Sequence, residues 1–182
     1  MISNSFLRWS VYLVAVLATV GILGDRVADA TGSTITIGAA SGGCGALVSF
    51  AVSFQTPLPS AAALQVDVTF NSANTPIAAK TNGAPNCIRS ATLTNLNKGL
   101  RLSFLPHGCS GSACSGARIV VSDNGDGTLI PNGSTLLSCA VQIASAAPPG
   151  IYPLVGSNIL VSSQNGSSVP TNAINGQVTV NS

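Results

Sequence analysis

The sequence predicts an all-β fold, a two-sheet antiparallel β-sandwich of the jelly-roll type with about nine or ten strands. Apolar residues alternate with small polar residues through most of residues 31–182, and this alternation is the period of a half-buried strand. Clusters of Gly, Pro and Asn interrupt it at short intervals, as turns between strands do. Because no segment after residue 30 has a convincing 3.6-residue apolar period, we predict no helix there.

The N-terminal strands are the most clearly patterned. Residues 34–37 predict the first strand, and residues 39–45 predict a Gly-rich turn that holds Cys44. Residues 46–54 predict a long strand, one face of which carries the apolar side chains Val48, Phe50, Val52 and Phe54. Pro57 and Pro59 end this strand, since proline cannot donate a hydrogen bond to a sheet ladder.

Residues 64–70 alternate again. The period of two places four apolar side chains toward the core, Leu64, Val66, Val68 and Phe70. Gln65, Asp67 and Thr69 must then point outward. Asp67 is the only carboxylate on any predicted strand. As an isolated, exposed residue it is expected to contribute less than about 0.5 kcal/mol to stability.

The remaining elements follow from shorter patterns. Residues 71–86, 106–116 and 123–133 are rich in polar residues, Gly and Pro and predict loops and turns. The intervening segments predict strands, at residues 88–93, 100–104, 117–122, 134–144, 158–162 and 175–180. Residues 146–154 combine a Pro-Pro-Gly break with a short apolar run.

Residues 1–30 have the anatomy of a secretory signal peptide. A short N-terminal part carrying Arg8 precedes an apolar run at residues 11–23, and Ala28-Asp29-Ala30 is a small-x-small cleavage pattern. The apolar run has about 13 residues, below the roughly 17–25 that span a bilayer. We therefore expect cleavage before Thr31 and a secreted, periplasmic or extracellular domain of residues 31–182. An uncleaved signal, the alternative, is the only membrane contact expected.

Charge excludes several classes of function. Residues 31–182 contain no Glu and a net charge of +2, from Lys80, Arg89, Lys98, Arg101 and Arg118 against Asp67, Asp123 and Asp126. So few cations cannot form a phosphate-binding stripe, which excludes nucleic acid as a partner. Three Asp residues also give no pair of carboxylates placed across a sugar, as glycosidases require. We expect no cofactor, no bound metal and no catalytic activity.

All five cysteines lie after residue 30, which in an exported protein predicts disulfides and one remaining thiol. Cys109 and Cys114 can close a tight loop, and Cys139 points toward the core of its strand. The second bond then joins Cys87 to Cys139 or to Cys109, with Cys44 as the expected free thiol. A zinc site of Cys and His107 is the alternative, but the sequence has no Cys-x-x-Cys pair.

Several other motifs have a simpler structural explanation. Asp123-Asn-Gly-Asp-Gly-Thr128 resembles part of a calcium loop, but the position of the bidentate carboxylate falls on Gly133. Asn-Gly and Asp-Gly predict a β-turn there. His107 has no Gly-x-Ser-x-Gly elbow to pair with. Asn132-Gly-Ser and Asn165-Gly-Ser are formal glycosylation sequons that also predict turns.

The order of motifs resembles that of a cohesin domain. In that family a strand, an Ala-x-Pro-Gly-x-Tyr-Pro-Leu turn and a closing Asn-Gly-x-Val-Thr-Val strand follow one another, as residues 134–144, 146–154 and 175–180 do here. Residues 35–54 resemble the family's opening pair of strands. Residues 64–71 resemble its third strand, with Phe70-Asn71 in place of the usual Tyr-Asp. The cysteines are extra to the family pattern.

The resemblance implies a non-catalytic module, one sheet face of which binds a dockerin module on a partner protein, in assemblies that degrade polysaccharides. Since residues 64–70 resemble the partner-binding third strand, the predicted interaction face is Gln65, Asp67 and Thr69, with Asp67 as an anchor for a Lys, Arg or Ser of the partner. A solvated strand face is the alternative for these residues.

Two other functions remain open from the sequence. A carbohydrate-binding module would contact polysaccharide directly, but such modules stack sugar rings on exposed aromatic side chains. Residues 31–182 contain no Trp and a single Tyr, Tyr152. A structural surface or matrix protein without a specific small ligand is the third hypothesis.

Overall fold

The computed structural model describes residues 32–58 and 60–182, so the predicted signal peptide lies outside the described residues. In the described part, eleven strands and one short α-helix form the domain. The strands are β1 (Ser33–Ile37), β2 (Ala39–Gly42), β3 (Leu47–Gln55), β4 (Ala61–Thr69), β5 (Cys87–Arg89), β6 (Gly99–Leu105), β7 (Gly116–Ser122), β8 (Ser134–Gln142), β9 (Gly150–Ser163), β10 (Thr171–Ile174) and β11 (Gly176–Val180). The helix α1 (Ala91–Asn95) lies between β5 and β6. None of the described helices is long and apolar enough to cross a membrane.

Two sheets enclose one hydrophobic core. The five-stranded sheet has the order β10-β1-β3-β8-β5, and the six-stranded sheet has the order β2-β11-β9-β4-β7-β6. Both sheets contribute buried side chains to the same cluster, including Phe50 and Phe54 from β3 and Val66 and Val68 from β4. The predicted all-β sandwich is therefore confirmed, and the alternation in β3 and β4 orients their side chains as the sequence indicated.

Most neighbouring strands are antiparallel, but two pairs are parallel. β1 pairs with β10, and β2 pairs with β11. Both connections, β1 to β2 and β10 to β11, pass from the five-stranded to the six-stranded sheet, so the two chain segments run side by side. They approach so closely that a Cβ atom on Gly176 would meet the carbonyl oxygens of Ile37 and Gly38. A glycine is required at this crossing because only a residue without Cβ fits.

Four elements differ from the predicted ones: the helix α1, contrary to the prediction of no helix, the strands β2 and β10, which fall outside the predicted strands, and the long strand β9. The strand predicted at residues 88–93 ends at Arg89, because Ser90 caps α1 by accepting a hydrogen bond from the Leu93 amide at 3.2 Å. The predicted turn at residues 39–45 contains β2. The predicted segments 146–154 and 158–162 share one strand, β9, which is interrupted by a bulge near Asn158.

Two disulfides are present in the described domain. Cys87–Cys139 joins β5 to β8, and Cys109–Cys114 closes the loop between β6 and β7. Cys44 is a free, exposed thiol. The Cys109–Cys114 disulfide and the free Cys44 thiol agree with the prediction. Cys87 forms its disulfide with Cys139, the core-facing residue of the two partners predicted for it.

Candidate functional site

The predicted interaction face lies on β4, in the middle of the six-stranded sheet. Leu64, Val66 and Val68 are buried in the core, so the alternating residues Gln65, Asp67 and Thr69 project from the other side of the strand. β4 pairs with β7 on one edge and with β9 on the other. We call the solvent side of this sheet the outer face.

The strand register arranges the outer face in rows. One row, the Leu160 row, crosses from β9 to β6 through Leu160, Gln65, Val120 and Arg101. The next, the Asp67 row, contains Ser157, Asp67, Arg118 and Ser103. The third, the Val155 row, contains Val155, Thr69, Gly116 and Leu105. Residues paired across neighbouring strands point to the same side of a sheet, so these twelve form one continuous surface.

Asp67 is neither isolated nor exposed, contrary to the expectation from the sequence. Only 2% of its surface is accessible. Its carboxylate accepts a bidentate pair of hydrogen bonds from Arg118, with Nε to Oδ1 and Nη2 to Oδ2 both at 2.7 Å. Asn158 Nδ2 donates a third at 2.8 Å to Oδ2. The charge of Asp67 is therefore satisfied within the domain, which is incompatible with a role as a free anchor.

The geometry explains the electrostatics of this pair. The hydrogen bonds from Arg118 hold the pKa of Asp67 below its ordinary value, against the opposing effect of burial, and Asn158 lowers it further. Asp67 in turn raises the pKa of Arg118. Asn158 reaches the carboxylate because the β9 bulge gives it a left-handed backbone, with φ of 47°, a conformation that Asn tolerates better than most residues.

We expect Asp67→Asn to lower the free energy of unfolding at pH 7 by about 1–3 kcal/mol, because the bidentate charge-assisted pair is lost. The pKa of Asp67 is lowered in the folded state, so its contribution is present above the unfolded-state pKa and disappears as pH falls through the folded-state pKa. The deficit of the variant should therefore shrink below about pH 4.

Urea unfolding across this pH range checks the Asp67 prediction. Asp126→Asn is the matched control, because Asp126 is exposed and its Oδ1 accepts a turn hydrogen bond from the Thr128 amide that an Asn also accepts. If Asp67→Asn is as harmless as Asp126→Asn at pH 7, the ion pair does not stabilise the fold.

β9 also exposes three aliphatic side chains along its length, which no pattern in the sequence had singled out. Ile151, Val155 and Leu160 expose 65%, 36% and 65% of their surfaces. Their ladder partners Thr179, Thr69 and Gln65 also lie on the outer face. The sequence does indicate these exposed side chains. Within residues 151–155, apolar residues occur at both odd and even positions, although only one of the two sets can face the core.

A shallow groove of about 330 Å³ lies beside Leu160. Its floor comes from the same three strands, with Gln65 of β4, Val120 of β7 and Leu160 of β9, and Gly166 and Ser168 form one wall. The other exposed aliphatic side chains lie elsewhere. Ile88 and Ile174 are on the two edge strands of the five-stranded sheet, Leu47 begins β3, and Leu58 is in the following loop. The outer face thus combines apolar and polar side chains over a continuous area.

The carboxylates of the acidic turn predicted at residues 123–128 accept hydrogen bonds from groups within the domain. Asp123 accepts hydrogen bonds from Lys98 Nζ at 2.6 Å and from the Gly127 amide at 3.1 Å. Lys98 has no accessible surface, and it lowers the pKa of Asp123. The structure contains no group of three or more His, Cys, Asp or Glu side chains suited to a metal among its described residues. His107 is exposed in the loop after β6.

Tyr152 and the two sequon asparagines are also engaged within the fold. Tyr152 is half-buried against the core, and its hydroxyl donates to the Pro148 carbonyl at 2.8 Å. The sequon side chain of Asn132 accepts from the Thr56 amide at 3.0 Å, and that of Asn165 accepts from the Ser167 amide at 3.1 Å. In the described domain no aromatic side chain is exposed enough to form a stacking platform.

Comparison with known proteins identifies the fold. No protein-family model and no curated protein matches the sequence. Among solved structures, the sixth cohesin of scaffoldin B from Acetivibrio cellulolyticus, in complex with a Cel5 dockerin, matches with a TM-score of 0.67 and 14% identity over 83% of this chain and 100% of that chain. A type I cohesin–dockerin complex of Clostridium thermocellum matches with a TM-score of 0.66 and 12% identity, covering 82% and 99%.

A non-cellulosomal cohesin from the archaeon Archaeoglobus fulgidus is also similar, with a TM-score of 0.60 and 13% identity over 83% of this chain and 92% of that chain. Such identities establish the fold and not the partner. The described domain has a cohesin-like fold, which confirms the resemblance stated from the sequence at the level of structure.

Proposed function

We propose that the chain is an exported, non-catalytic protein-interaction module that binds a partner protein through the outer face of its six-stranded sheet. One observation carries the proposal. The outer face exposes Ile151, Val155 and Leu160 along a single strand, although the domain buries most of its other large apolar side chains. Aliphatic side chains exposed together on a continuous surface are typical of interaction sites.

The dimensions of the outer face suit a folded partner. Six strands span about 24 Å between the outermost strand axes, and nine-residue β4 extends about 30 Å. A stable protein–protein interface buries roughly 800 Å² on each partner, which this face can supply. Gln65 and Thr69 flank the exposed aliphatic side chains as polar neighbours. A mixed apolar and polar surface of this kind is ordinary for a reversible interface.

The partner we propose is a dockerin-bearing protein, in an assembly linked to extracellular polysaccharide degradation. Support comes from the cohesin-like fold and from the matched cohesins that were solved with dockerins. Export is supported by the predicted signal peptide and by two disulfides. The rival proposal, direct binding of polysaccharide, has less support because Tyr152 is half-buried and bonded to Pro148.

We expect Leu160→Ser to weaken partner binding at least about tenfold, because truncating a central apolar contact typically costs more than 1 kcal/mol. Its thermal stability should stay close to that of the wild type, since Leu160 is exposed. The test is capture from medium conditioned by the organism that encodes the chain, with identification of captured proteins by mass spectrometry and titration of the purified partner.

Ile88→Ser is the matched control for Leu160→Ser. Ile88 exposes 70% of its surface but belongs to the five-stranded sheet, so the same chemical change should leave capture intact. A captured protein that carries a dockerin module and is lost only with Leu160→Ser supports the proposal. If no captured protein depends on Leu160, or if Ile88→Ser removes the same protein, the proposed surface is wrong.

A further inference from the structure

The accessible charge of the outer face is positive. Asp67, the single carboxylate in its three rows, is buried and neutralised by Arg118. Arg118 keeps 39% of its side-chain surface accessible, and its pair with Asp67 uses Nε and Nη2, which leaves Nη1 outside the bidentate contact. Arg101 is exposed on β6 and forms no ion pair among the described residues.

The other two side-chain carboxylates of the described domain, Asp123 and Asp126, lie in the turn after β7 and outside the three rows. Asp123 is paired with Lys98. Asp126 is exposed but lies in the turn that follows β7, beyond the end of the outer-face rows, and it accepts a hydrogen bond from the Thr128 amide. The charge of Arg118 is balanced by Asp67, so Arg101 carries the unpaired charge of the three rows. A surface with one unpaired cation, further accessible guanidinium N–H groups and no accessible carboxylate in its rows attracts negative charge.

The register fixes where that charge lies relative to the aliphatic side chains. Arg101 and Leu160 stand at opposite ends of the Leu160 row, three strand spacings or about 14 Å apart at the backbone. Arg118 lies one row away, on the strand next to Arg101. The outer face therefore has an aliphatic side along β9 and a cationic side along β6 and β7.

We infer that the partner presents an acidic protein surface. The partner's carboxylates contact the β6–β7 side of the outer face, and its aliphatic side chains contact the exposed side chains of β9. The inference rests on the proposed function and reverses the polarity expected from the sequence, in which Asp67 anchored a cation of the partner. Arg118 is held in place by Asp67, so its remaining N–H groups are preorganised for a further carboxylate.

An acidic protein fits these observations better than a polyanion. Two arginines are too few for the many phosphate contacts on which nucleic-acid binding depends. The exposed Ile151, Val155 and Leu160 also require an apolar counterpart that a phosphate backbone does not offer. A carboxylate beside aliphatic side chains satisfies both sides of the face, because guanidinium and carboxylate form directed, charge-assisted hydrogen bonds.

The test uses the protein captured by the wild-type domain, titrated calorimetrically at 50 and 500 mM salt. We expect Arg101→Glu to weaken binding at least about tenfold at low salt and clearly less at high salt, because salt screens exposed charges. Lys80→Glu makes the same charge change in an exposed loop that lies against β8 of the other sheet. It should change affinity less than about twofold.

The outcomes separate the inference from the proposed function. If Leu160→Ser weakens binding but Arg101→Glu leaves it unchanged or tighter, the face is correct and the acidic partner is wrong. If Lys80→Glu weakens binding as much as Arg101→Glu, the attraction is not local to the outer face, and the inference is overturned as well. If neither Leu160→Ser nor Arg101→Glu weakens binding, the proposed surface itself fails.

Discussion

Val66→Asp is expected to abolish folding of the domain at neutral pH. Val66 has no accessible surface and lies in the middle of β4, between β7 and β9. An aspartate there would place an unpaired carboxylate in the core, which is among the most costly single changes in a protein. The expected loss, more than about 4 kcal/mol, is large against the roughly 5–15 kcal/mol by which an ordinary domain is stable.

Gln65→Asp is the matched control for Val66→Asp. The two substitutions introduce the same carboxylate one residue apart, but Gln65 projects from the outer face. Circular dichroism and thermal melting should show a cooperative transition for Gln65→Asp and none for Val66→Asp. A cooperative transition of Val66→Asp within a few degrees of the wild type would mean that the β4 register is wrong.

Removal of the Cys87–Cys139 disulfide is expected to have the second largest effect. The bond closes a sequence separation of 52 residues, so the chain-entropy relation gives a loss of about 4 kcal/mol when both cysteines become alanine. The bond also attaches the three-residue edge strand β5 to β8. Urea unfolding of the double variant measures the loss under conditions in which Cys109–Cys114 stays oxidised.

The Cys109–Cys114 pair provides an internal comparison. It closes a separation of only 5 residues, for which the same relation gives about 2 kcal/mol. We therefore expect the Cys109→Ala, Cys114→Ala variant to retain more stability than the Cys87→Ala, Cys139→Ala variant. The reverse order would show that loop length does not determine the contribution of these bonds.

Local patterns in the sequence predicted the centres of both sheets. In β3 and β4 one alternating set of side chains meets the core, so a period of two was sufficient to identify the strands and their faces. The same reasoning placed Gln65, Asp67 and Thr69 on the outer side of β4. It failed for β2 and β10, which are edge strands of four residues whose pairing partners are distant in the sequence.

The environment of Asp67 could not be predicted in this way. Its partners Arg118 and Asn158 are 51 and 91 residues away in the chain. Arg118 is brought opposite Asp67 by the β4–β7 register, and Asn158 reaches it only because of the β9 bulge. Register and bulges are set by the assembled sheet, so the sequence indicated the face but not the sign of its accessible charge.

The central claim is that the partner binds the outer face of the six-stranded sheet. The most direct measurement is an NMR titration of the methyl-labelled domain with the captured partner. We expect the methyl resonances of Ile151, Val155 and Leu160 to shift or broaden, with those of Leu47, Ile88 and Ile174 unchanged. Changes confined to the second group would place the partner on the five-stranded sheet and contradict the claim.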